Sequence, residues 1–227
     1  MIKTYFLSLI AKEPTCVDTI TIKLDRVQSD FNFIAGQYIS ITLPGLNEFP
    51  VTDQYHDFSI SSSPNIKDYI STTMRVSESQ FKTHLMQLDL GTKLRIDGPK
   101  GVFTLPTDGS TDFTLIAGGV GITPFMSLIN FSKEQKLTRK IKLLYFNNDL
   151  KHAAYLNDLN NLARDYDYLE FYPIFGLVNE QYLQTHINNQ NTYYIAGPPK
   201  MVDIVRDILK KHNVKDINIK TESFTGY

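Results

Sequence analysis

The sequence predicts two domains: an N-terminal antiparallel β-barrel with one helix over residues 1–106, and a C-terminal α/β domain with a parallel sheet of about five strands over residues 112–227. Three observations predict it. Up to about Pro106, short apolar runs alternate with a period of two and are separated by turn formers. From Asp112 onward, apolar runs alternate with stretches of helical period, the pattern of parallel strands joined by right-handed crossovers. Between the two lies LPTDGSTD (105–112), whose Pro, Thr, Asp, Gly and Ser suit a linker or turn.

In the first half, the expected strands are TYFLSLIA, DTITIKLD with Ile20, Ile22 and Leu24 on one face, GQYISITL, DFSIS, ISTTMRV and TKLRIDG. Only SESQFKTHLMQL (77–88) breaks this rhythm with a helical pattern. In the second half, strand and helix alternate: FTLIAGG, PFMSLINFSKEQ, KIKLLYF, AAYLNDLNNLARDY, LEFYPIF, NEQYLQTHI, TYYIAG, PKMVDIVRDILKKH and a last strand INIKTESF. Tyr155, Leu159, Leu162 and Tyr166 follow the i, i+4, i+7 rule, as do Met201, Val205 and Ile208 with Ile204 beside them, so both stripes are expected in the core.

Charge and cysteine content exclude several classes. The chain has 23 Lys+Arg against 24 Asp+Glu, and no basic run is longer than the pair Lys210–Lys211, so neither a nucleic-acid nor a membrane-surface role has an electrostatic footprint. Cys16 is the single cysteine, which rules out an internal disulfide, a thiolate-held iron–sulfur cluster and a cysteine zinc site within this chain. No metal site is expected, and a reducing, cytoplasmic setting fits. The opening MIKTYFLSLIAKEP lacks the form of a signal peptide and reads as a first strand, and no apolar run reaches the length of a membrane span.

Chemistry is concentrated in AGGVGITP (117–124), between a strand and a helix. Backbone N–H groups and the positive end of a helix dipole converge there on whatever anion approaches. Gly119 and Gly121 allow close backbone approach, and Pro124 fits the first helical turn, where its missing N–H costs nothing. A second loop of this design, AGPPKM (196–201), ends a later strand on the same edge of the sheet, where such folds bind nucleotides. After KIKLLYF the chain reads Asn147, Asn148, Asp149, with no basic residue there to pair a ribose 2′-phosphate although Lys151 follows, which tilts the choice from NADPH to NADH.

The order of these motifs resembles the ferredoxin–NAD(P)H reductase superfamily, a flavin-binding barrel followed by a nicotinamide-dinucleotide domain. The resemblance runs through FIAGQY (33–38), HDFSISSSP (56–64), Ser79 to Leu85, GPKGVF (98–103), AGGVGITP, AGPPKM and the terminal ESFTGY, and covers nearly the whole chain. It implies that Phe58 packs on the flavin and that Ser59 hydrogen-bonds near flavin N5. His56 stands where an FAD-diphosphate arginine is usual, as in the His, Pro, Phe, Thr version of the ferric-reductase-like branch. Histidine lacks the bidentate fork of arginine. Ser79 replaces a glycine of the diphosphate motif, Lys82 and Thr83 stand at its serine, and Lys82 or Arg75 are candidates to make up for the arginine. Asp57, Thr73 and Val76, beside these motifs, complete the expected flavin-binding set.

On the nicotinamide side, the resemblance assigns Gly119, Gly121 and Thr123 to the dinucleotide, Gly197 and Pro198 to the nicotinamide, and Glu222 to orienting it or relaying a proton. Ala196 replaces a common cysteine. Phe224 or Tyr227 would cover the outer flavin face. The implied reaction is hydride transfer from NADH or NADPH to FAD, with Ser59 and Glu222 as catalytic residues, and electron delivery to a protein acceptor such as a ferredoxin, flavodoxin or haem protein. Two alternatives stay open: a reductase that takes free flavin as substrate, favoured by the changes at His56 and Ser79, and a non-catalytic regulatory subunit that binds flavin or nucleotide.

Overall fold

The computed structural model describes residues 2–46, 50, 54–106 and 112–224. Six antiparallel strands form the first sheet: β1 (Lys3–Cys16), β2 (Thr19–Asp25), β3 (Tyr38–Thr42), β4 (Tyr55–Ser59), β5 (Tyr69–Arg75) and β6 (Lys93–Lys100), in the order β4-β3-β6-β1-β2-β5. A bridge between Ile60 and Thr72, with Ser61 N–H donating to the Ser71 carbonyl at 2.8 Å, joins the two edges and closes the barrel. Closure needs a strand that turns the corner. β1 does this: Lys3–Ser8 pair with β6, Leu9–Cys16 with β2, and the register shifts between Leu9 and Ala11. It therefore runs through Pro14 to Cys16, well past the expected end at Ala11.

The alternation seen in the sequence fills the barrel with Leu7, Leu9, Ile20, Ile22, Leu24, Ile39, Ile41, Leu94 and Ile96. Helix α1 (Gln80–Gln87) adds Phe81 and Leu85, and is capped by Ser79, whose hydroxyl accepts from Lys82 N–H.

The second sheet is parallel throughout: β7 (Phe113–Gly118), β8 (Ile141–Asn147), β9 (Leu169–Phe175), β10 (Thr192–Gly197) and β11 (Ile219–Ser223), ordered β11-β10-β7-β8-β9. Helices α2 (Thr123–Glu134) and α3 (Leu156–Asp165) cover one face over Leu115, Leu143 and Tyr145. α5 (Pro199–Lys211) covers the other over Ile116, Leu144 and Ile195, with one-turn α4 (Glu180–Leu183) nearby. The two-domain fold is the one expected; residues 107–111 of the linker lie outside the described residues.

Three local expectations are corrected. NEQYLQTHI makes only one α-turn before a 3₁₀ turn over Gln184–His186. Ile204 is 48% exposed, because α5 buries Val202, Val205, Ile208 and Leu209 instead. Tyr155 is not on the helical stripe: it is left-handed at φ 60°, precedes α3, and reaches out of its domain.

The Tyr155 hydroxyl is hydrogen-bonded to Thr21 at 2.9 Å and to Thr73, both in the barrel, while Ser127 of α2 donates to the Ser62 carbonyl at 2.7 Å and Tyr194 to that of Thr104 at 2.8 Å. Replacing Tyr155 with Phe removes both interdomain hydrogen bonds and leaves Thr21 and Thr73 bonded to each other, with Thr15 on Thr21. The expected cost is about 1–2 kcal/mol, seen as a melting temperature lower by roughly 2–8 °C. An unchanged melt would show that this contact does not hold the domains together.

Candidate active site

A cavity of about 570 Å³ opens where the end of β4 meets the end of β11. The barrel contributes Tyr38, Tyr55, His56, Asp57, Phe58 and Ser59, and the second domain Thr221 to Phe224. β11 pairs with β10 so that Glu222 stands beside Ala196, pointing this sheet edge at the barrel. Ser59 Oγ and Glu222 Oε2, 163 residues apart in sequence, thereby come within 3.4 Å. The Ser59 backbone is fixed by Thr72, whose hydroxyl donates to its carbonyl at 2.9 Å. Burial pushes the Glu222 carboxyl up to about 7, with the Ser59 hydroxyl pulling weakly the other way. A carboxyl poised there exchanges a proton near neutral pH.

Around this pair, the flavin-side residues are distributed unevenly. Phe58 is buried against Phe81 of α1, ring centroids 5.8 Å apart, and His56 packs tilted against the same ring at 4.5 Å. Asp57 lines the cavity but its carboxylate accepts from Ser40, which in turn accepts from Lys100 at 2.5 Å. Lys82, in the first turn of α1, is buried; burial and the Arg75 charge both hold its ammonium below the ordinary lysine range. Two cations kept this close, one of them desolvated, fit a phosphate-bearing group. Thr83 is exposed, its N–H donating to the Ser79 carbonyl at 2.9 Å, and Val76 N–H donates to the Asp18 carbonyl at 2.7 Å.

Thr73 is not brought to this cavity: its hydroxyl is taken by Thr21 and Tyr155. Phe224 lines the cavity and is anchored, its N–H donating to the Gly197 carbonyl at 3.0 Å, while Tyr227 lies outside the described residues. Tyr38 was missed. It packs over Gly101, where an added Cβ would sit 2.9 Å from its ring. Burial first, then the charges of Asp57 and Glu222, push its phenol pKa up. Its place in FIAGQY was the available signal.

A second cavity, about 560 Å³, lies over the carboxyl edge of the parallel sheet. Gly119 faces it with φ +53° and nothing within 4 Å of where a Cβ would stand, so its backbone is open to an incoming group beside the N-terminus of α2. Gly121 and Thr123 are placed differently from expectation. A Cβ on Gly121 would lie 2.2 Å from the Ala196 carbonyl oxygen and 2.8 Å from Gly197 Cα, so this glycine lets the two glycine loops pack on each other. Thr123 is buried and donates to the Val120 carbonyl at 2.7 Å, closing the 3₁₀ turn that leads into α2. Pro198 lines this second cavity, together with Arg75 of the barrel.

A barrel and a parallel sheet with paired glycine loops, meeting at a Ser–Glu contact, define a two-domain protein built to hold two dinucleotides at one interface. Comparison with known proteins agrees. Residues 6–104 match the family model of an FAD-binding domain and residues 115–207 that of an oxidoreductase NAD-binding domain. The chain is 24% identical over 235 residues to the propane 2-monooxygenase reductase component of Gordonia sp. (strain TY-5), covering 95% of this chain and 66% of that one. It is 22% identical over 222 residues to the anthranilate 1,2-dioxygenase electron transfer component of Acinetobacter baylyi, covering 91% and 63%.

The chain thus spans somewhat less than two thirds of the length of these relatives. Among solved structures, Amycolatopsis cytochrome P450 reductase superposes with a TM-score of 0.87 at 19% identity, over 99% of this chain and 71% of that one. The ferredoxin–NADP+ reductase of Plasmodium falciparum does so with 0.79 at 20%, over 97% and 96%. The chain belongs to the ferredoxin–NAD(P)H reductase superfamily of FAD-dependent oxidoreductases. Among the described residues, no helix is long and apolar enough to cross a membrane.

Proposed function

We propose that this chain is an NAD(P)H-dependent reductase module that takes hydride from a nicotinamide cofactor and hands electrons to a separate redox protein in a reducing, cytoplasmic setting. The observation that carries the reading is the Ser59–Glu222 contact across the domain interface, inside a cavity walled by both domains. FAD, when bound, would supply the hydride-accepting and electron-transferring chemistry. The chain's residues do the rest. Ser59, whose hydroxyl now donates to Glu222, would donate toward the flavin, and Glu222, near neutrality, would orient the nicotinamide and hold a proton beside it. Gly119 and the N-terminus of α2 take the second dinucleotide's phosphates.

Lys82 and Arg75 take the FAD diphosphate, in the role that an arginine at position 56 would fill. Phe58 and Phe224 bound the cavity with apolar rings. The relatives named as reductase or electron transfer components of oxygenases support a protein acceptor over free flavin. The test is direct: flavin copurifies, NADH or NADPH reduces it without oxygen, and an added oxidised ferredoxin or haem protein reoxidises it. A protein whose flavin neither nucleotide reduces overturns the reading. Lys82→Ala is expected to release flavin on gel filtration, lowering retention about tenfold, the worth of one charged contact. Full retention would remove Lys82 from the site.

A further inference from the structure

We infer that α2 positions Ser59 for hydride transfer: a polar stripe along the helix ties the glycine loop at its N-terminus to the chain segment that leaves the end of β4. The inference rests on the reductase reading above and adds two positioning residues to it, Ser127 and Glu134. α2 is otherwise an apolar helix that buries Pro124, Phe125, Met126, Leu128 and Ile129. Thr123, Ser127, Asn130 and Glu134 recur at i, i+4, i+7 and i+11, the spacing of a single helical face. Polar groups on a face turned inward need partners. Thr123 donates to the Val120 carbonyl at 2.7 Å and so closes the 3₁₀ turn over Gly119–Ile122. One turn on, Ser127 is fully buried and donates to the Ser62 carbonyl at 2.7 Å. Asn130 turns back on its own helix, donating to the Met126 carbonyl at 2.8 Å. At the last residue of the helix, Glu134 accepts from Ser63 Oγ and, at 2.7 Å, from Asn65 Nδ2.

Ser62, Ser63 and Asn65 continue the chain directly from Ser59. On its other side this segment is stitched to β5: Thr72 donates to the Ser59 carbonyl at 2.9 Å, Ser61 N–H to the Ser71 carbonyl at 2.8 Å, and Ser71 N–H to Ser62 Oγ at 3.0 Å. The segment is therefore held by the barrel on one side and by α2 on the other. The interdomain bonds of Tyr155 end on Thr21 and Thr73, and that of Tyr194 on the Thr104 carbonyl, none of them on this segment. Ser127 and Glu134 are about 10 Å apart along the helix axis. Two anchors that far apart on a rigid rod fix an angle as well as a distance. A group held at the glycine loop and the hydroxyl that meets Glu222 at 3.4 Å thereby share one frame. The stakes are high, because a misplacement of about 1 Å at a reacting centre costs about a hundredfold in rate.

The test is bleaching of the protein-bound flavin, without oxygen, over a range of NADH and NADPH concentrations, which separates the limiting rate from the half-saturating concentration. Ser127→Ala is expected to lower the limiting rate about tenfold and Glu134→Ala about threefold, both keeping the flavin and, within about twofold, the half-saturating concentration. Glu134→Gln retains an acceptor oxygen for Ser63 and should recover most of the rate. Tyr194→Phe loses an interdomain bond without touching the segment after Ser59, so it should melt lower yet bleach as wild type does. The inference is overturned, with the reductase reading left standing, if Ser127→Ala and Glu134→Ala bleach at the wild-type rate or if Tyr194→Phe is slowed as much as they are. Wild-type flavin that neither nucleotide reduces overturns that reading itself, and this inference with it.

Discussion

Gly121→Ala is expected to destabilise the second domain by about 3 kcal/mol or more and to lower the melting temperature by roughly 6–12 °C. The added methyl would meet the Ala196 carbonyl oxygen at 2.2 Å and its carbon at 2.5 Å. Both are backbone atoms of β10, a central strand hydrogen-bonded to β7 and β11, so neither can swing aside as a side chain would. The two glycine loops must separate, and Gly197 and Ala196 move with them, so nucleotide binding falls together with stability. Gly119→Ala makes the contrast. Its Cβ meets nothing within 4 Å, so only the left-handed backbone opposes it, at about 1–2 kcal/mol. Its main effect falls on nucleotide affinity, because the methyl occupies the open side of the loop. Equal melting losses for the two variants would contradict this division of labour.

Glu222→Gln carries the second large effect, on rate and on the pH dependence of stability. In the unfolded chain this carboxyl titrates near 4.5, in the folded protein at about 7. The folded state therefore binds more protons between those values, and the neutral form is the one that the fold accommodates. The group's penalty is absent below about 4.5, grows as pH rises, and is complete above about 7. Its full size is up to about 3 kcal/mol at 1.36 kcal/mol per unit. Glutamine, neutral throughout, escapes it. The variant should thus melt with wild type near pH 4.5 and several degrees above it at pH 8. At the same time nicotinamide-driven flavin reduction should slow by about a hundredfold, the low end of general acid–base contributions, and lose its inflection near neutrality. A melting difference that does not change with pH would show that Glu222 does not titrate in this window.

Much of this was legible in the sequence, and the legible parts share a cause. Period-two runs such as Ile20, Ile22, Leu24 and the apolar β7 report burial set by the strand's own geometry, so barrel and sheet could be read directly. The glycine loops, Ser59 and Glu222 came from motif order. What escaped depended on what packs against what. Tyr155 fits a helical stripe by spacing, yet its backbone is left-handed just before α3 and its hydroxyl bonds Thr21 and Thr73 in the other domain. Ile204 follows the apolar stripe of α5 but faces the cavity. Gly121, read from the motif as a dinucleotide contact, also packs the two glycine loops on each other. Arg75 and Lys200 are 125 positions apart in sequence and share one cavity, which no local reading of Asn147 to Lys151 reveals.

In the proposed function, hydride crosses between two dinucleotides held at the Ser59–Glu222 interface. The most direct measurement is stopped-flow bleaching of the protein-bound flavin, without oxygen, by nicotinamide dinucleotide deuterated at the transferring C4 position and by its protiated form. Wild type is expected to bleach with a primary isotope effect, and Ser59→Ala to bleach more slowly while retaining it. No bleaching by either nucleotide, or bleaching at equal rates with the two isotopes in both proteins, would contradict it.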